Sequence, residues 1–275
     1  MSANGRIQLR IARQDRPGGT RHWERFDIPY QQGMNVISCL QAIAANPVTA
    51  YGAKTTPVAW DCNCLEEVCG ACTMVINGRV QQSCTALVDK LLSESDEIVL
   101  EPMSKFPVLR DLVVDRSRMF SDLKKVHAWM PVAGYYDAGP GPRYSPDDQD
   151  ELYPLSRCMT CGCCLEVCPQ YTKIEVLREA GESDEDFARR RAAAHEGAFL
   201  GAAPISQAVY FNSHPVGKLS SRERLEALMG PGGITDCGNA QNCVKVCPKE
   251  IPLLRSIAKA GRQTTLYSLK HWFMK

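Results

Sequence analysis

Apolar and polar residues alternate in four short stretches of the first hundred residues: IQLRIA (7–12), WERFDI (23–28), TMVINGRVQQ (73–82) and EIVLEP (97–102). Alternation with a period of two, rich in β-branched side chains, predicts strands that bury one face. Asn77-Gly78 divides the third stretch as a two-residue hairpin turn, because these residue types tolerate the positive φ such a turn demands. One helical period interrupts the series, in NVISCLQAIAA from Asn35 to Ala45. Strands wrapped on a single helix predict a small α+β domain over residues 1–106.

From Pro107 the period changes. Leu109, Leu112, Phe120, Leu123 and Trp129 recur at helical spacing, and almost no strand signal follows. Ser183 with Asp186, and Ser221 ahead of RERLEALM with Gly230 beyond it, are helix start and stop signals. Residues 107–275 are therefore expected to be all-α. One stretch fits neither period: PVAGYYDAGPGPRYSPDDQDELYP (131–154) is too irregular for an element and too aromatic for a free linker, which predicts an ordered loop packed on a neighbour.

Composition narrows the functional class. A hydrophobic fraction of 44% with 23% charged residues is that of a chain with its own core, which excludes disorder as the main state. With 32 basic against 31 acidic residues, no net charge favours nucleic acid as a partner. No eighteen apolar residues run together, and MSANGRIQLR lacks the apolar stretch of a secretory signal, so the expectation is a cytosol-facing chain that does not itself span a membrane. Fourteen cysteines in such a chain are expected to bind metal rather than pair as disulfides, since that compartment keeps thiols reduced.

The cysteines fall into three groups and one single. Cys39 lies in the apolar helical stretch and is expected to be packing. Cys64-x4-Cys69-x2-Cys72 with the later Cys84 is the plant-type ferredoxin spacing for a [2Fe–2S] cluster, in which the close trio curls around the cluster and Gly70 permits close approach. Zinc loops favour paired knuckles instead. Cys62, two residues before Cys64, is either a stand-in ligand or a merely nearby thiol. Cys158-x2-Cys161-x2-Cys164-x3-Cys168-Pro169 is the bacterial ferredoxin run, whose fourth cysteine reaches to another cluster. The reciprocal run, Cys237-x2-Ala240-x2-Cys243-x3-Cys247-Pro248, lacks its middle thiol. Crossing over, Cys158, Cys161, Cys164 and Cys247 make a four-thiolate site for [4Fe–4S]. Cys168, Cys237 and Cys243 make a three-thiolate site, which suits [3Fe–4S]. Cys163 is left over. His22, His127, His195, His214 and His271 are scattered in unlike contexts, and no nucleophile, base or substrate-binding constellation stands out, so no catalytic residue is expected here.

A plant-type [2Fe–2S] domain, a β-grasp, joined to a helical two-cluster ferredoxin module resembles the iron–sulfur subunit family of succinate dehydrogenase and fumarate reductase, respiratory complex II. The resemblance covers nearly the whole chain and rests on CLEEVCGACTMVINGR, RCMTCGCCLEVCP and CVKVCPKEI. It implies an electron wire of the tricarboxylic acid cycle and respiration: a flavoprotein subunit with FAD oxidises succinate, and electrons pass singly through [2Fe–2S], [4Fe–4S] and [3Fe–4S] to a quinone at an integral membrane anchor. It further implies a peripheral position on the cytoplasmic face of the bacterial inner membrane, with succinate chemistry wholly on the partner. Ubiquinone-reducing members carry a tryptophan a few residues after the central Cys-Pro and a histidine after the first cysteine of the last run. Here those places read Pro169-Gln170-Tyr171-Thr172-Lys173 and Cys237-Gly238-Asn239, without either residue, and the CLEEVCGAC and CMTCG wording is closer to menaquinone-linked members, which often have haem in the anchor. Lys173 is equally a solvated charge. The end of the chain, RQTTLYSLKHWFMK, mixes aromatic and basic residues that suit a membrane surface or an anchor contact, or packing on the core. A free multi-cluster ferredoxin-type carrier is the alternative class, and fumarate reduction the alternative direction. A neutral chain of this length favours a permanent subunit over an acidic shuttle.

Overall fold

The structure, a computed structural model, describes residues 5–130 and 143–273. The chain divides into two compact units, Met1–Arg116 with Lys173–Phe187, and Ser117–Thr172 with Ala188–Lys275.

In the first unit, β1 (Arg6–Arg13), β2 (His22–Pro29), β3 (Thr73–Ile76), β4 (Arg79–Gln82) and β5 (Ile98–Glu101) form one sheet in the order β2-β1-β5-β3-β4. β1 pairs antiparallel with β2 and parallel with β5. The period-two pattern puts Ile7, Leu9 and Ile11 of β1 on one buried face, against Phe26, Met74, Ile76, Ile98 and Leu100. Helix α1 (Val36–Ala45) covers that face with Val36, Cys39, Leu40 and Ile43, and each such fully buried aliphatic contributes about 1.5–3 kcal/mol. Cys39 is core, its thiol pushed up to about 12 by burial. Asn35 caps α1, its Oδ1 accepting from Ser38 N at 2.9 Å. Asn77 and Gly78 both have positive φ, 48° and 76°, as the hairpin turn requires.

Two elements here differ from the sequence reading. A second helix, α2 (Val88–Glu94), follows the strands, burying Val88 and Leu91. Residues after Pro107 begin as a hairpin, β6 (Val108–Arg110) and β7 (Val113–Val114), where a helical period was expected, and Leu109 is exposed. The reason is tertiary. Asp111, at φ 48° in the turn, is 1% exposed and accepts from Arg13 Nε at 2.9 Å, Gln14 N at 3.1 Å and Ala59 N at 2.8 Å. Arg13, equally buried, also donates to Glu24 and to Thr56 O at 3.1 Å. This network holds the 107–116 segment extended.

In the second unit, α3 (Ser117–Lys125), α4 (Pro146–Ser156), α5 (Cys163–Glu166), α8 (Ser221–Met229) and α10 (Leu253–Phe273) pack on the mostly buried α7 (Ala202–Ser213), and α9 (Asn242–Lys245) packs on α5 and α10. The division between units falls within α6 (Asp184–Ala194), whose start is capped by Ser183 Oγ accepting from Asp186 N at 3.1 Å. Gly230 ends α8 as its spacing indicates. Residues 146–154 of the expected 131–154 loop belong to helix α4, which Ser145 caps ahead of Pro146; residues 131–142 of that expectation lie outside the described residues. Arg224 on α8 is fully buried and spends its donors on the carbonyls of His127, Trp129 and Gly217.

Arg13→Met should destabilise the first unit by about 3–5 kcal/mol, because it strands buried Asp111. Adding Asp111→Leu should recover part of that loss. Thermal unfolding of the cluster-loaded chain, followed by circular dichroism, measures both, and an unperturbed single variant would contradict the role given to the pair.

Candidate metal centres

The loop between Trp60 and β3 carries the first group. Leu65, Glu67 and Gly70 have φ of 61°, 56° and 71°, and this succession of left-handed residues curls the backbone so that its N–H groups face inward. Cys64 Sγ accepts from Glu66 N at 3.4 Å, Val68 N at 3.3 Å and Cys69 N at 3.3 Å. Cys69 Sγ accepts from Ala71 N at 3.4 Å and Cys64 N at 3.5 Å. The hydrogen bonds from Glu66 and Val68 lower the Cys64 thiol to about 7, which favours the thiolate that binds metal. Cys72 and Cys84 are buried against Ile37 and Trp60. Burial, with the nearby Cys72 and Cys64 thiols, raises the Cys84 thiol to about 11. These four thiols thus stand together. Cys62 is exposed, and none of these contacts involves it.

Three supports of this loop were not visible in the spacing. Asn35 Nδ2 donates to Cys84 O at 2.9 Å, tying the α1 cap to the fourth cysteine. Ser83 Oγ donates to Cys72 O at 2.7 Å. Arg116 donates to the carbonyls of Gly70 and Ala71. No sequence signal marks Arg116, which lies far beyond the motif.

The second and third groups share one backbone form. Thr160 and Gly162 have positive φ in the central run, and Asn239 and Gln241 repeat this in the last run. The one-turn helices α5 and α9 follow, and each run then closes on Cys-Pro. Ala240 therefore stands on the same path as Cys161. Asn242 Nδ2 donates to Val167 O at 3.2 Å, joining the runs.

Their side chains enclose two hollows. The smaller is lined by Cys158, Cys161, Cys163, Cys164 and Cys247. The larger is lined by Cys168, Cys237 and Cys243, with Ala240 beside them. Each run thus sends its last cysteine to the other run's hollow. Burial drives the Cys164 thiol well up, helped by Cys161, Cys158 and Cys247, and burial likewise raises Cys158 and Cys243. Such thiols keep their protons until a cation replaces them. Adjacent Ala202 and Ala203, in the first turn of α7, line one hollow each, so the positive end of that helix's dipole serves both.

A zinc ion needs four sulfurs about 2.3 Å from one point. Among the described residues no three His, Cys, Asp or Glu side chains close on such a point. Hollows lined by several soft thiols suit iron–sulfur groups, whose ligands are thiolates.

A family model described as a 2Fe-2S iron-sulfur cluster binding domain matches residues 8–121, and one described as a 4Fe-4S dicluster domain matches residues 154–251. The chain is 51% identical over 273 residues to the succinate dehydrogenase iron-sulfur subunit of Bacillus subtilis (strain 168), covering 99% of this chain and 98% of that protein. It is 30% identical over 244 residues to the fumarate reductase iron-sulfur subunit of Wolinella succinogenes, covering 88% and 89%. Among solved structures, a chain of the Mycobacterium smegmatis Sdh1 complex in the apo form matches with a TM-score of 0.70 at 23% identity, over 95% of this chain and 96% of that one, a likeness of fold.

Cys62→Ala and Cys163→Ala should each leave iron content and all paramagnetic signals unchanged, as measured by iron assay and electron paramagnetic resonance. Loss of the [2Fe–2S] signal in Cys62→Ala would transfer the ligand role from Cys64 to Cys62.

Proposed function

The chain belongs to the family of succinate dehydrogenase and fumarate reductase iron–sulfur subunits, and we propose that it serves as the one-electron wire between a flavoprotein and a quinone at a membrane anchor. It is the electron-transfer subunit of an oxidoreductase complex and carries [2Fe–2S] and [4Fe–4S] domains. When bound, the clusters supply one-electron steps that link a two-electron flavin to a quinone. In this reading residues 1–106 hold the first cluster and 107–275 the others. Cys64, Cys69, Cys72 and Cys84 bind [2Fe–2S]; Cys158, Cys161, Cys164 and Cys247 bind [4Fe–4S]; Cys168, Cys237 and Cys243 bind [3Fe–4S].

The observation that carries the reading is the crossing of the two runs, with Ala240 on the path that Cys161 follows. Three thiols around the larger hollow suit a cluster with one corner missing, and the backbone N–H groups on Cys64 and Cys69 disperse the negative charge of bound thiolates.

The partners are an FAD-containing flavoprotein, where succinate chemistry resides, and an integral membrane anchor. The chain lies peripherally on the cytoplasmic face of the bacterial inner membrane in this reading. Among the described residues no helix is long and apolar enough to cross a membrane. Exposed Leu266, Leu269, Trp272 and Phe273 on α10 support an anchor contact. Menaquinone as acceptor is supported by Gly238 and by Pro169-Gln170-Tyr171-Thr172-Lys173, which stand where ubiquinone-reducing members carry a histidine and a tryptophan.

Iron analysis of the intact complex should give about nine irons per chain, the sum of the three cluster types. Ala240→Cys should supply the missing thiolate, abolish the oxidised [3Fe–4S] resonance and raise the count to about ten. An unchanged [3Fe–4S] resonance in that variant would refute the three-thiolate assignment.

The crossing has its own test. Cys247→Ser should weaken the [4Fe–4S] signal before the [3Fe–4S] signal, and Cys168→Ser should do the reverse. If each substitution harms the cluster of its own run, the interlocked ligand sets are wrong.

A further inference from the structure

Arg116 grips the [2Fe–2S] loop from outside. Its Nη1 donates to Gly70 O at 2.5 Å, and its Nη2 to Ala71 O at 2.7 Å and Thr73 O at 3.4 Å. The side chain is half-buried, so this grip is only partly screened by water. Thr73, itself buried, donates its hydroxyl to the same Gly70 carbonyl at 2.8 Å.

The peptide between Gly70 and Ala71 is the one that matters. Its oxygen accepts from the guanidinium, and its N–H reaches Cys69 Sγ at 3.4 Å. A single planar unit thus has a cation at one end and a cluster thiolate at the other. Positive charge at the oxygen draws electron density from the nitrogen, so the N–H becomes a stronger donor, as in any chain of hydrogen bonds that polarise one another. The same hold fixes the peptide plane. Gly70 at φ 71° has a conformation that leaves this peptide without a side chain to steer it.

We propose that Arg116 is a positioning residue for the [2Fe–2S] centre: by holding the Gly70 and Ala71 carbonyls it orients and polarises the N–H donor to Cys69 Sγ, and so raises the potential at which that centre accepts its electron. The proposal rests on the assignment of Cys64, Cys69, Cys72 and Cys84 as ligands. In the step concerned one electron enters the cluster from the reduced flavin of the partner, and no proton or bond is exchanged. One unit of negative charge is added, which N–H donors and a nearby cation both favour. Hydrogen bonds to the sulfurs and local charge are among the features that set such potentials.

The test is a redox titration of the intact complex, followed by electron paramagnetic resonance, with three variants. Arg116→Met removes both charge and fork, and should shift the [2Fe–2S] one-electron equilibrium toward the oxidised form by on the order of tenfold, ~59 mV downward. Arg116→Lys keeps the charge but cannot bridge three carbonyls, so its potential should fall between that of Met and the parent. Arg116→Gln keeps one donor without charge, and should lie nearer to Met. The [4Fe–4S] and [3Fe–4S] potentials should stay fixed and serve as internal controls. An unshifted [2Fe–2S] potential in Arg116→Gln or Arg116→Met, with the cluster present, overturns the proposal, as does an equal shift of all three clusters. Should Arg116→Met lose its cluster, the ordering of parent, Lys and Gln decides the matter alone. A parent complex without any [2Fe–2S] resonance would instead overturn the ligand assignment, and this role with it.

Discussion

Thiolates bound to iron concentrate negative charge inside a protein, and that charge must be met where few ions or waters reach. Backbone N–H groups are the nearest donors, but a regular helix or strand already uses them. The chain therefore leaves regular geometry wherever cysteines gather: Leu65, Glu67 and Gly70 in the first loop, Thr160 and Gly162 in the second, and Asn239 and Gln241 in the third all take positive φ. Such backbone costs about 1–3 kcal/mol at each non-glycine position and persists only where the surroundings enforce it. Asn35, Ser83 and Arg116 are those surroundings for the first loop. For the other two loops it is the contact of α5 and α9 with each other and the start of α7 beneath them.

The two halves meet this constraint by different means. A sheet with one covering helix holds the first loop at its edge, where Cys64 stays partly exposed and its backbone donors lower its thiol. In the helical unit burial raises Cys158, Cys164 and Cys243. In the first case the chain readies Cys64 as a thiolate in advance, although burial holds the proton on Cys84. In the second, iron binding must drive the protons off.

Legibility in the sequence followed how local each feature is. The strands and α1 were readable because IQLRIA, WERFDI and NVISCLQAIAA each bury a face set by their own period. The cysteines of the candidate site were readable as spacing, since a loop that wraps a cluster has a set length. The β6–β7 hairpin was not, because Leu109 and Leu112 mimic a helical step while Asp111 answers to Arg13, almost a hundred residues away. Helix α4 carried a usable signal, Ser145-Pro146-Asp147-Asp148, that the glycines and prolines around it obscured. Arg116 had none, because its partners are main-chain carbonyls that no pattern of side chains announces.

The exchange of Cys168 and Cys247 between hollows also orders the making of the protein. The first loop has all four of its cysteines once residue 84 is synthesised, whereas neither hollow has its full lining until the chain has reached the last run. At ribosomal rates of about 5–20 residues per second, that interval is on the order of ten to thirty seconds. For the last part of it, about 4–16 seconds from Cys168 to Cys247, the thiols of the central run have been made but their partners have not, open to oxidation or to the wrong metal. Neither thiol set of this half is thus complete before the last run is made, whereas the first loop can take its cluster while the helical unit is still being synthesised.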